Sequence, residues 1–325
     1  MGKVLVIRGG AVGDFILTLP AIRLLKENLP LAEIEILGYE AITSLARASG
    51  YATRIRSIEY GKLAAFFAPG ANLDEELVLY FRSFDVIVSY LYDPDGYFRG
   101  NLERIDVEML IECSHKVRTP GPPAAEQLAQ PLEQLALFLE PDKQFPVLEK
   151  ADSEVLKAHT FLQGADPGTS WIAIHPGSGS LAKNWPVNCW KELILRIQPK
   201  FPSCAWVIIT GEAEVERIGN LIPDLQSAGF PLRHADQLPL PRLGEILRLC
   251  NGFLGHDSGV SHLAAAVGTP GLLLFGPTDP AVWAPRNPAV EIVQPTGQSL
   301  TGLGIEAMEA RVTAFLKQLK INSGS

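Results

Sequence analysis

Short apolar runs alternate with longer stretches of helical period along the whole chain, and this alternation limits the possible folds more than any other feature of the sequence. As a group the runs lack the polar alternation of a half-exposed sheet, which is typical of parallel strands covered by helices on both faces. The predicted strands are residues 4–7, 33–37, 54–58, 85–88, 171–174, 205–210, 252–255 and 271–275. The predicted helices are residues 14–28, 73–83, 153–163, 188–198, 243–250 and 258–267. We therefore expect an α/β protein built on parallel sheets.

The pattern of strands and helices occurs twice, which predicts two domains. The chain has 325 residues, and domains of about 150 residues would give about two of them. The Pro-rich segment 140–146 is a good linker candidate, so the expected domains are residues 1–150 and residues 151–325. We expect two Rossmann-like, doubly wound parallel-sheet domains that face a cleft, with ligands bound at the carboxyl ends of the strands.

The charge balance argues against long contact with nucleic acid. The chain has 28 Lys and Arg against 36 Asp and Glu, a net charge of −8, and residues 1–150 hold 15 basic against 21 acidic side chains. Neither half has the basic excess that a nucleic-acid partner favours.

The four cysteines are widely spaced without a CxxC pair, which argues against a zinc site. The first apolar run is too short for a signal peptide and no segment resembles a membrane span, so we expect a cytoplasmic protein.

A glycine-rich loop, with Gly9, Gly10 and Gly13, follows the first predicted strand and opens a helix. Gly10 and Gly13 match the last two glycines of a dinucleotide-binding fingerprint, but Arg8 stands where the first glycine should be. An NAD-dependent oxidoreductase is therefore an alternative interpretation. The acidic residues available to bind its ribose are Glu33, Glu35 and Glu40.

Asp14 lies at the expected start of the first helix and has two interpretations. It can be the N-cap, a position at which Asp is among the most favoured residues. It can also be a carboxylate at the carboxyl edge of the first strand, where it could take a proton from a substrate hydroxyl. Pro20, inside the same predicted helix, is expected to kink it.

Residues 175–186 form a Gly/Ser-rich loop between a predicted strand and a helix that begins after Pro186. Such a loop offers backbone and hydroxyl donors to phosphate oxygens, and Lys183 adds a compact positive charge. The alternative is a flexible turn with a solvated lysine.

Residues 252–270 give the strongest signal for a binding site. A buried strand ends at Asp257, and an alanine-rich helix starts at Ser258 or just after it. The free N–H groups of such a helix bind anions, and Ser258 and His262 lie on one helical face. Phosphate binding is the favoured interpretation, and an Asp/Ser cap beside a core histidine is the alternative.

Three other motifs are set aside. Residues 93–95 match the D-x-D form of a metal site, but Pro-Asp-Gly is first of all a turn signal. Ser178 and Ser180 lack the G-x-S-x-G spacing of a hydrolase nucleophile. His256 and Asp257 are neighbours on a strand, so their side chains point to opposite faces and cannot form a catalytic pair.

Several short segments carry a resemblance to a known family. They are residues 4–8, 13–20, 175–178, 183–186, 257–262 and 275–280. With these segments in this order, the chain resembles glycosyltransferase family 9, the ADP-heptose:lipopolysaccharide heptosyltransferases and their relatives. Residues 40–150 match only in their general pattern.

The resemblance implies a GT-B fold in which the N-terminal domain binds the acceptor and the C-terminal domain holds the donor nucleotide sugar. It implies that Asp14 is the general base and that Lys183 contacts the diphosphate. The residues that it places in the donor site are Ser178, Lys183, Glu214, Asp257, Ser258, Gly259 and His262. The family transfers the sugar with inversion, without an obligatory metal or a bound cofactor.

The expected function is transfer of heptose from ADP-heptose to a cell-envelope saccharide such as the lipopolysaccharide core, with peripheral contact at the inner face of the inner membrane. The acidic balance of residues 1–150 disfavours a phosphorylated lipid acceptor. The basic side chains that could still form a patch are Arg47, Arg54, Arg56, Lys62, Arg99 and Arg104. A non-catalytic nucleotide-sugar-binding protein is a further alternative, beside the oxidoreductase.

Overall fold

The computed structural model of the chain describes residues 2–212, 214 and 217–322. The chain divides into two compact units, Met1–Glu149 and Lys150–Ser325. Each unit is a parallel sheet with helices between its strands. The predicted α/β fold with two Rossmann-like parallel-sheet domains is therefore confirmed.

The sheet of the first unit has the strand order β3-β2-β1-β4-β5, and every pair of neighbours is parallel. Its strands are β1 (Lys3–Arg8), β2 (Glu33–Gly38), β3 (Arg54–Ser57), β4 (Val86–Ser89) and β5 (Leu110–Glu112). Its helices are α1 (Val12–Asn28), α2 (Glu40–Ala48), α3 (Glu75–Arg82), α4 (Tyr97–Arg104) and α5 (Ala124–Ala129). Pro20 lies inside α1, as predicted.

The sheet of the second unit has the order β11-β10-β9-β6-β7-β8 and is also parallel throughout. Its strands are β6 (Ser170–Ile174), β7 (Cys204–Thr210), β8 (Leu232–Asp236), β9 (Gly252–His256), β10 (Gly271–Leu274) and β11 (Val290–Val293). Its helices are α6 (Asp152–Phe161), α7 (Val187–Ile197), α8 (Leu221–Ser227), α9 (Leu240–Leu249), α10 (Gly259–Ala266), α11 (Pro280–Trp283) and α12 (Ile305–Gln318). Within the described ranges, no helix combines the length and the apolar character needed to cross a bilayer.

The core of the second unit is built around fully buried tryptophans. The rings of Trp185 and Trp190 meet edge to face, with centroids 5.2 Å apart and planes at 83°, a favourable arrangement for aromatic pairs. Trp185 lies near the end of the Gly/Ser-rich loop, and Trp190 lies on α7. The packing of the two rings therefore fixes the end of that loop against the body of the unit.

In each sheet the strand order reverses at one strand, so that successive strands are added first on one side of it and then on the other. In the first unit, β1 lies between β2 and β4, and in the second, β6 lies between β7 and β9. Loops that leave the carboxyl ends of two such strands run to opposite sides, which opens a crevice where ligands bind in this class of fold. The loops after β1 and β4, and those after β6 and β9, are therefore the expected ligand-binding loops.

Candidate functional site

Lys183 and Asp257 form an ion pair at the crevice of the second sheet. Lys183 Nζ lies 2.7 Å from Asp257 Oδ2. Lys183 belongs to the short 3-10 turn Leu181–Lys183 after β6, and Asp257 directly follows β9. The carboxylate is 7% exposed and the lysine side chain 30% exposed, so the buried acid holds an ammonium that reaches solvent. An incoming anion can contact this ammonium without displacing the lysine.

The N-terminus of α10 begins beside this pair. Ser258 is the N-cap, as its hydroxyl accepts the N–H of Ser261 at 3.3 Å, and the first main-chain bond of the turn runs from His262 N–H to Ser258 O at 3.2 Å. The N–H groups of Gly259 and Val260 precede that bond, and both residues are partly exposed. Together with the helix dipole they favour an anion at this place. The predicted helix start at Ser258 is confirmed.

The structure brings together five of the predicted site residues, which we name the α10 cluster: Lys183, Asp257, Ser258, Gly259 and His262. His262 is buried on the first turn of α10, with its Nε2 4.0 Å from Asp257 Oδ1. The cluster offers a cation, helix N–H groups and the Ser258 hydroxyl on one edge of the sheet. Such a set of donors can bind and neutralise a phosphate group.

His175, at the end of β6, links Glu214 to the α10 cluster. Its Nδ1 lies 3.2 Å from Ser258 Oγ, and its Nε2 lies 3.6 Å from Glu214 Oε2. The hydrogen bond with His175 holds the pKa of the Glu214 carboxyl below its usual range, and the N–H of Gly211 donates to the same carboxylate at 2.9 Å. His175 was not among the site residues predicted from the sequence. A histidine at the carboxyl end of a buried strand, in the loop that carries Lys183, was the available signal.

Gly177 and Ser178 shape the loop between β6 and Lys183. A β-carbon at Gly177 would overlap the side chain of Glu214, so only glycine lets the loop approach this carboxylate so closely. Ser178 is buried, and its hydroxyl donates to Asn184 Oδ1 at 2.6 Å and lies 2.9 Å from Ser180 O. These contacts keep the Ser178 hydroxyl within its own loop and away from the α10 cluster. A donor contact by Ser178 stays a prediction.

His256 ties the same loop to β9 from inside the core. Its Nε2 accepts the N–H of Trp185 at 2.8 Å, and its Nδ1 lies 3.4 Å from Gly177 O. Burial lowers the pKa of His256 to about 3, since a charged imidazolium is disfavoured in the core. The ring is therefore neutral in the folded protein, with Nε2 as the acceptor.

We expect the second unit to lose stability as the pH falls below about 6.5, the unperturbed pKa of histidine. Between that pH and about 3, only the unfolded chain takes up a proton at His256, so acid favours unfolding. At pH 5 this group should contribute a loss of about 2 kcal/mol. Urea unfolding at pH 7.5 and pH 5, monitored by tryptophan fluorescence, measures this loss of stability. The signal reports on the second unit, because all five tryptophans follow residue 150.

The matched variant for this experiment is His256→Gln, whose side-chain oxygen can still accept the N–H of Trp185 but does not titrate. The carboxylates of Glu214 and Asp257 are present in both proteins, so their contributions cancel in the comparison. The variant should lose less stability between the two pH values than the wild type does. Equal losses in both proteins would show that His256 is not the group responsible.

Asp14 is the third residue of α1 and not its N-cap, which corrects one of the two interpretations made from the sequence. The N-cap is Ala11, and Asp14 Oδ2 accepts the N–H of Ala11 at 3.1 Å. The carboxylate therefore still satisfies a free donor of the helix start, from the third position instead of the cap. Asp14 is 39% exposed, so its carboxylate at the carboxyl edge of β1 is accessible to a substrate hydroxyl.

The three glycines of the loop before Asp14 differ in their structural positions. Gly10 has φ of +98° in the loop before the helix, a backbone conformation suited to glycine, and Gly13 lies in the first turn of α1. A β-carbon at Gly9 would lie 4.0 Å from the side chain of Leu91, which follows β4. In a dinucleotide-binding fold, the pyrophosphate lies at the N-terminus of this helix. Here the Asp14 carboxylate occupies that end, which argues against the oxidoreductase interpretation.

Arg8, at the end of β1, is a buried cation beneath Asp14 and was not identified from the sequence as a site residue. Its Nη2 donates to Asp14 O at 3.3 Å and lies 3.8 Å from Asp14 Oδ1. Its guanidinium also lies over the ring of Tyr90, 5.4 Å from the centroid. Burial lowers the pKa of Arg8. A charged residue directly after the apolar run of residues 4–7 was the signal that could have revealed it.

Residues 93–95 form a turn, as expected. The Asp93 carboxylate accepts the N–H groups of Phe98 and Arg99 at 3.2 and 2.9 Å, at the start of α4. In the part of the chain that the structure describes, no group of three or more His, Cys, Asp or Glu side chains is placed to hold a metal ion. Metal-independent transfer stays a prediction.

Comparison with known proteins identifies the family. A model of glycosyltransferase family 9 (heptosyltransferase) matches residues 103–308. Lipopolysaccharide heptosyltransferase 1 of Pseudomonas aeruginosa is 34% identical over 122 residues, which are 37% of this chain and 32% of that protein. Lipopolysaccharide heptosyltransferase 3 of Escherichia coli is 23% identical over 299 residues, 84% of this chain and 83% of that one.

The solved structure of the Escherichia coli ADP-heptose lipopolysaccharide heptosyltransferase II has the same fold. It superposes with a TM-score of 0.76 over 98% of this chain and 99% of that chain, at 19% sequence identity. The matched family segment contains Lys183, Glu214 and the whole first turn of α10. The protein therefore belongs to glycosyltransferase family 9 and is a glycosyltransferase with two Rossmann-like domains.

Proposed function

We propose that this protein transfers heptose from ADP-heptose to a saccharide of the lipopolysaccharide core, with inversion at the anomeric carbon and without a metal ion. The heptosyltransferases to which it is similar carry ADP-heptose or lipopolysaccharide in their names. The observation that carries the proposal is the Lys183–Asp257 pair beside the N-terminus of α10. It provides a cation and helix N–H groups for a diphosphate.

The diphosphate of the donor binds at the α10 cluster. When the bond between the anomeric carbon and the phosphate oxygen breaks, negative charge develops on the departing ADP. The Lys183 ammonium and the N–H groups of Gly259 and Val260 stabilise that charge, because they are already directed to this place. This arrangement supplies the role that a divalent cation has in other sugar transferases.

Glu214 is proposed to contact the sugar part of the nucleotide. Its carboxylate is ionised beside His175, as the lowered pKa indicates, and so acts only as a hydrogen-bond acceptor. Hydroxyl groups of a ribose are suitable donors for it. His175 positions Glu214 relative to the α10 cluster through its second ring nitrogen, which contacts Ser258.

Asp14 is proposed to act as the general base in a single displacement. The acceptor hydroxyl oxygen forms a bond to the anomeric carbon from the face opposite to the departing ADP, and its proton passes to the Asp14 carboxylate. One displacement of this kind inverts the configuration. Arg8 lies 3.8 Å from Asp14 Oδ1 and donates to Asp14 O, so it helps to hold Asp14 in position.

A thermal-shift panel with ADP, UDP, GDP, CMP and NADH, each with and without EDTA, tests the donor part of the proposal. We expect ADP to stabilise the protein selectively, by about 2.7 kcal/mol at a concentration of 100 times its dissociation constant, whether or not EDTA is present. Transfer from ADP-heptose to lipopolysaccharide core fragments, again with EDTA, then tests the reaction. Inversion is read from the anomeric configuration of the product by NMR.

The other outcomes each contradict a distinct part of the proposal. Stabilisation by NADH alone would favour the oxidoreductase, and loss of transfer in EDTA would show a metal requirement. Binding of ADP without turnover on any core fragment would indicate a nucleotide-sugar-binding protein without catalysis. Selective stabilisation by UDP or GDP would show that the donor carries a different nucleotide, and the protein would still be a glycosyltransferase.

A further inference from the structure

A small cavity lies in the first unit at the carboxyl ends of β4 and β5. It has a volume of about 210 Å³ and is lined by residues of the two loops that leave these strands and by the start of α4. Drug-sized ligands occupy pockets of about 300–1,000 Å³, so this cavity fits a group the size of a single ring. Leu91 lies in its wall, and a β-carbon at Gly9 would lie 4.0 Å from the Leu91 side chain. The cavity therefore adjoins the glycine loop that leads to Asp14.

The rim of this cavity carries an exposed aromatic ring that the fold holds in place. Tyr92 is 63% exposed, although it lies only three residues after the end of β4. Its ring contacts that of His115, with centroids 4.4 Å apart and planes at 54°. Both residues line the cavity. An aromatic side chain that is fixed in position and yet exposed offers its electron-rich face to a ligand with C–H groups or positive charge.

The polar groups around the ring suit hydroxyl groups better than phosphates. Arg99 lies 3.2 Å from Glu112 Oε2 and 3.1 Å from Glu103 Oε1, so two carboxylates already neutralise this guanidinium. Asp93 adds another carboxylate to the lining. This acidic surrounding repels an anionic group, whereas carboxylates and a guanidinium can accept from and donate to sugar hydroxyls.

We propose that Tyr92, supported by His115, and the adjoining cavity form a subsite for an uncharged sugar ring of the acceptor. The C–H face of the ring stacks on Tyr92, and its hydroxyls contact Glu112, Arg99 and the Asp93 loop. This inference rests on the proposed function, because it assigns the chemistry of the acceptor to the unit that holds Asp14. It selects a neutral saccharide terminus over a phosphorylated one.

Binding of free sugars to the full chain tests this subsite by saturation-transfer-difference NMR. The probes are the methyl glycosides of heptose, glucose and galactose, with glucose 6-phosphate as the anionic comparison. We expect at least one neutral glycoside to give signals concentrated on one face of its ring. Tyr92→Ala should weaken its binding about three- to tenfold, the effect of losing one aromatic contact, and Tyr92→Phe should retain it because the stacking uses the ring.

The control is Phe138→Ala, which removes an equally exposed aromatic ring, 63% exposed, from the same unit and outside the cavity lining.

Unchanged glycoside binding in Tyr92→Ala, or preference for glucose 6-phosphate, would overturn the subsite. Binding of ADP by the same proteins is measured in parallel. A wild type that binds ADP and transfers heptose, with no effect of Tyr92→Ala on acceptor KM, would refute the subsite and leave the proposed function standing. A wild type with neither activity would refute the proposed function.

Discussion

Asp14→Asn should lower the turnover number of sugar transfer by about 10²- to 10⁴-fold, the usual contribution of a general base, and leave the affinity for ADP unchanged. The asparagine side-chain oxygen can still accept the N–H of Ala11, which Asp14 Oδ2 accepts at 3.1 Å. The start of α1 is therefore preserved, while the group that takes the proton is lost. Steady-state transfer rates and ADP titrations on the same preparation measure the two effects separately.

The matched control for Asp14→Asn is Asp85→Asn at the opposite end of the same sheet. Asp85 Oδ2 accepts the main-chain N–H of Lys3 at 2.6 Å, so this substitution also changes a carboxylate that binds a backbone donor. It should leave transfer within a factor of about two, as is usual for surface changes. If Asp14→Asn and the control were equally active, the general-base role of Asp14 would be wrong.

Lys183→Ala should reduce transfer about 10²- to 10³-fold, because the ammonium is expected to stabilise charge that develops as ADP departs. The affinity for ADP should fall by about 1–3 kcal/mol, the range for a lost hydrogen bond to a charged group. Part of this loss arises in the complex, since the buried carboxylate of Asp257, left without its cation, then repels the diphosphate. Isothermal titration with ADP and single-turnover kinetics distinguish ground-state binding from the chemical step.

A double-mutant cycle with Lys183→Met and Asp257→Asn shows whether Asp257 acts through the lysine. Because the two side chains lie 2.7 Å apart, we expect the second substitution to have little further effect once the first is present. Lys157→Ala is the control, since its ammonium also lies 2.7 Å from a carboxylate, that of Glu154, on the exposed helix α6. Full additivity of the two losses would show that Asp257 does not act through the lysine, and an unchanged ADP affinity in Lys183→Met would place Lys183 outside the donor site.

The buried strands could be predicted from the sequence because their apolar runs have no other stable place than the middle of a sheet. The three strands that were missed, β5, β8 and β11, are edge strands, and they carry polar residues such as Glu112 and His234 that interrupt the apolar pattern. An edge strand has one neighbour and more solvent contact, so its sequence is less constrained. The sequence signal is therefore weakest at the borders of each sheet.

The site was predictable to the extent that its residues lie next to strand ends. Asp257, Ser258 and Lys183 follow buried strands, and the parallel topology brings them to one edge. The contact from Glu214 through His175 to Ser258 joins residues from three loops. Such a contact depends on the distances between loops, which periodicity and spacing do not contain. For the same reason the burial of Arg8 beneath Asp14 became apparent only in three dimensions.

The close approach of Gly177 to Glu214 also limits how this protein can change during evolution. Any side chain at position 177 would occupy the space of the Glu214 side chain. A homologue can therefore acquire a side chain at this position only if Glu214 is replaced by a smaller residue or moves away. The two positions are expected to vary together among homologues instead of drifting independently. A relative with alanine or serine at the position of Gly177 is then expected to contact its nucleotide through a different group.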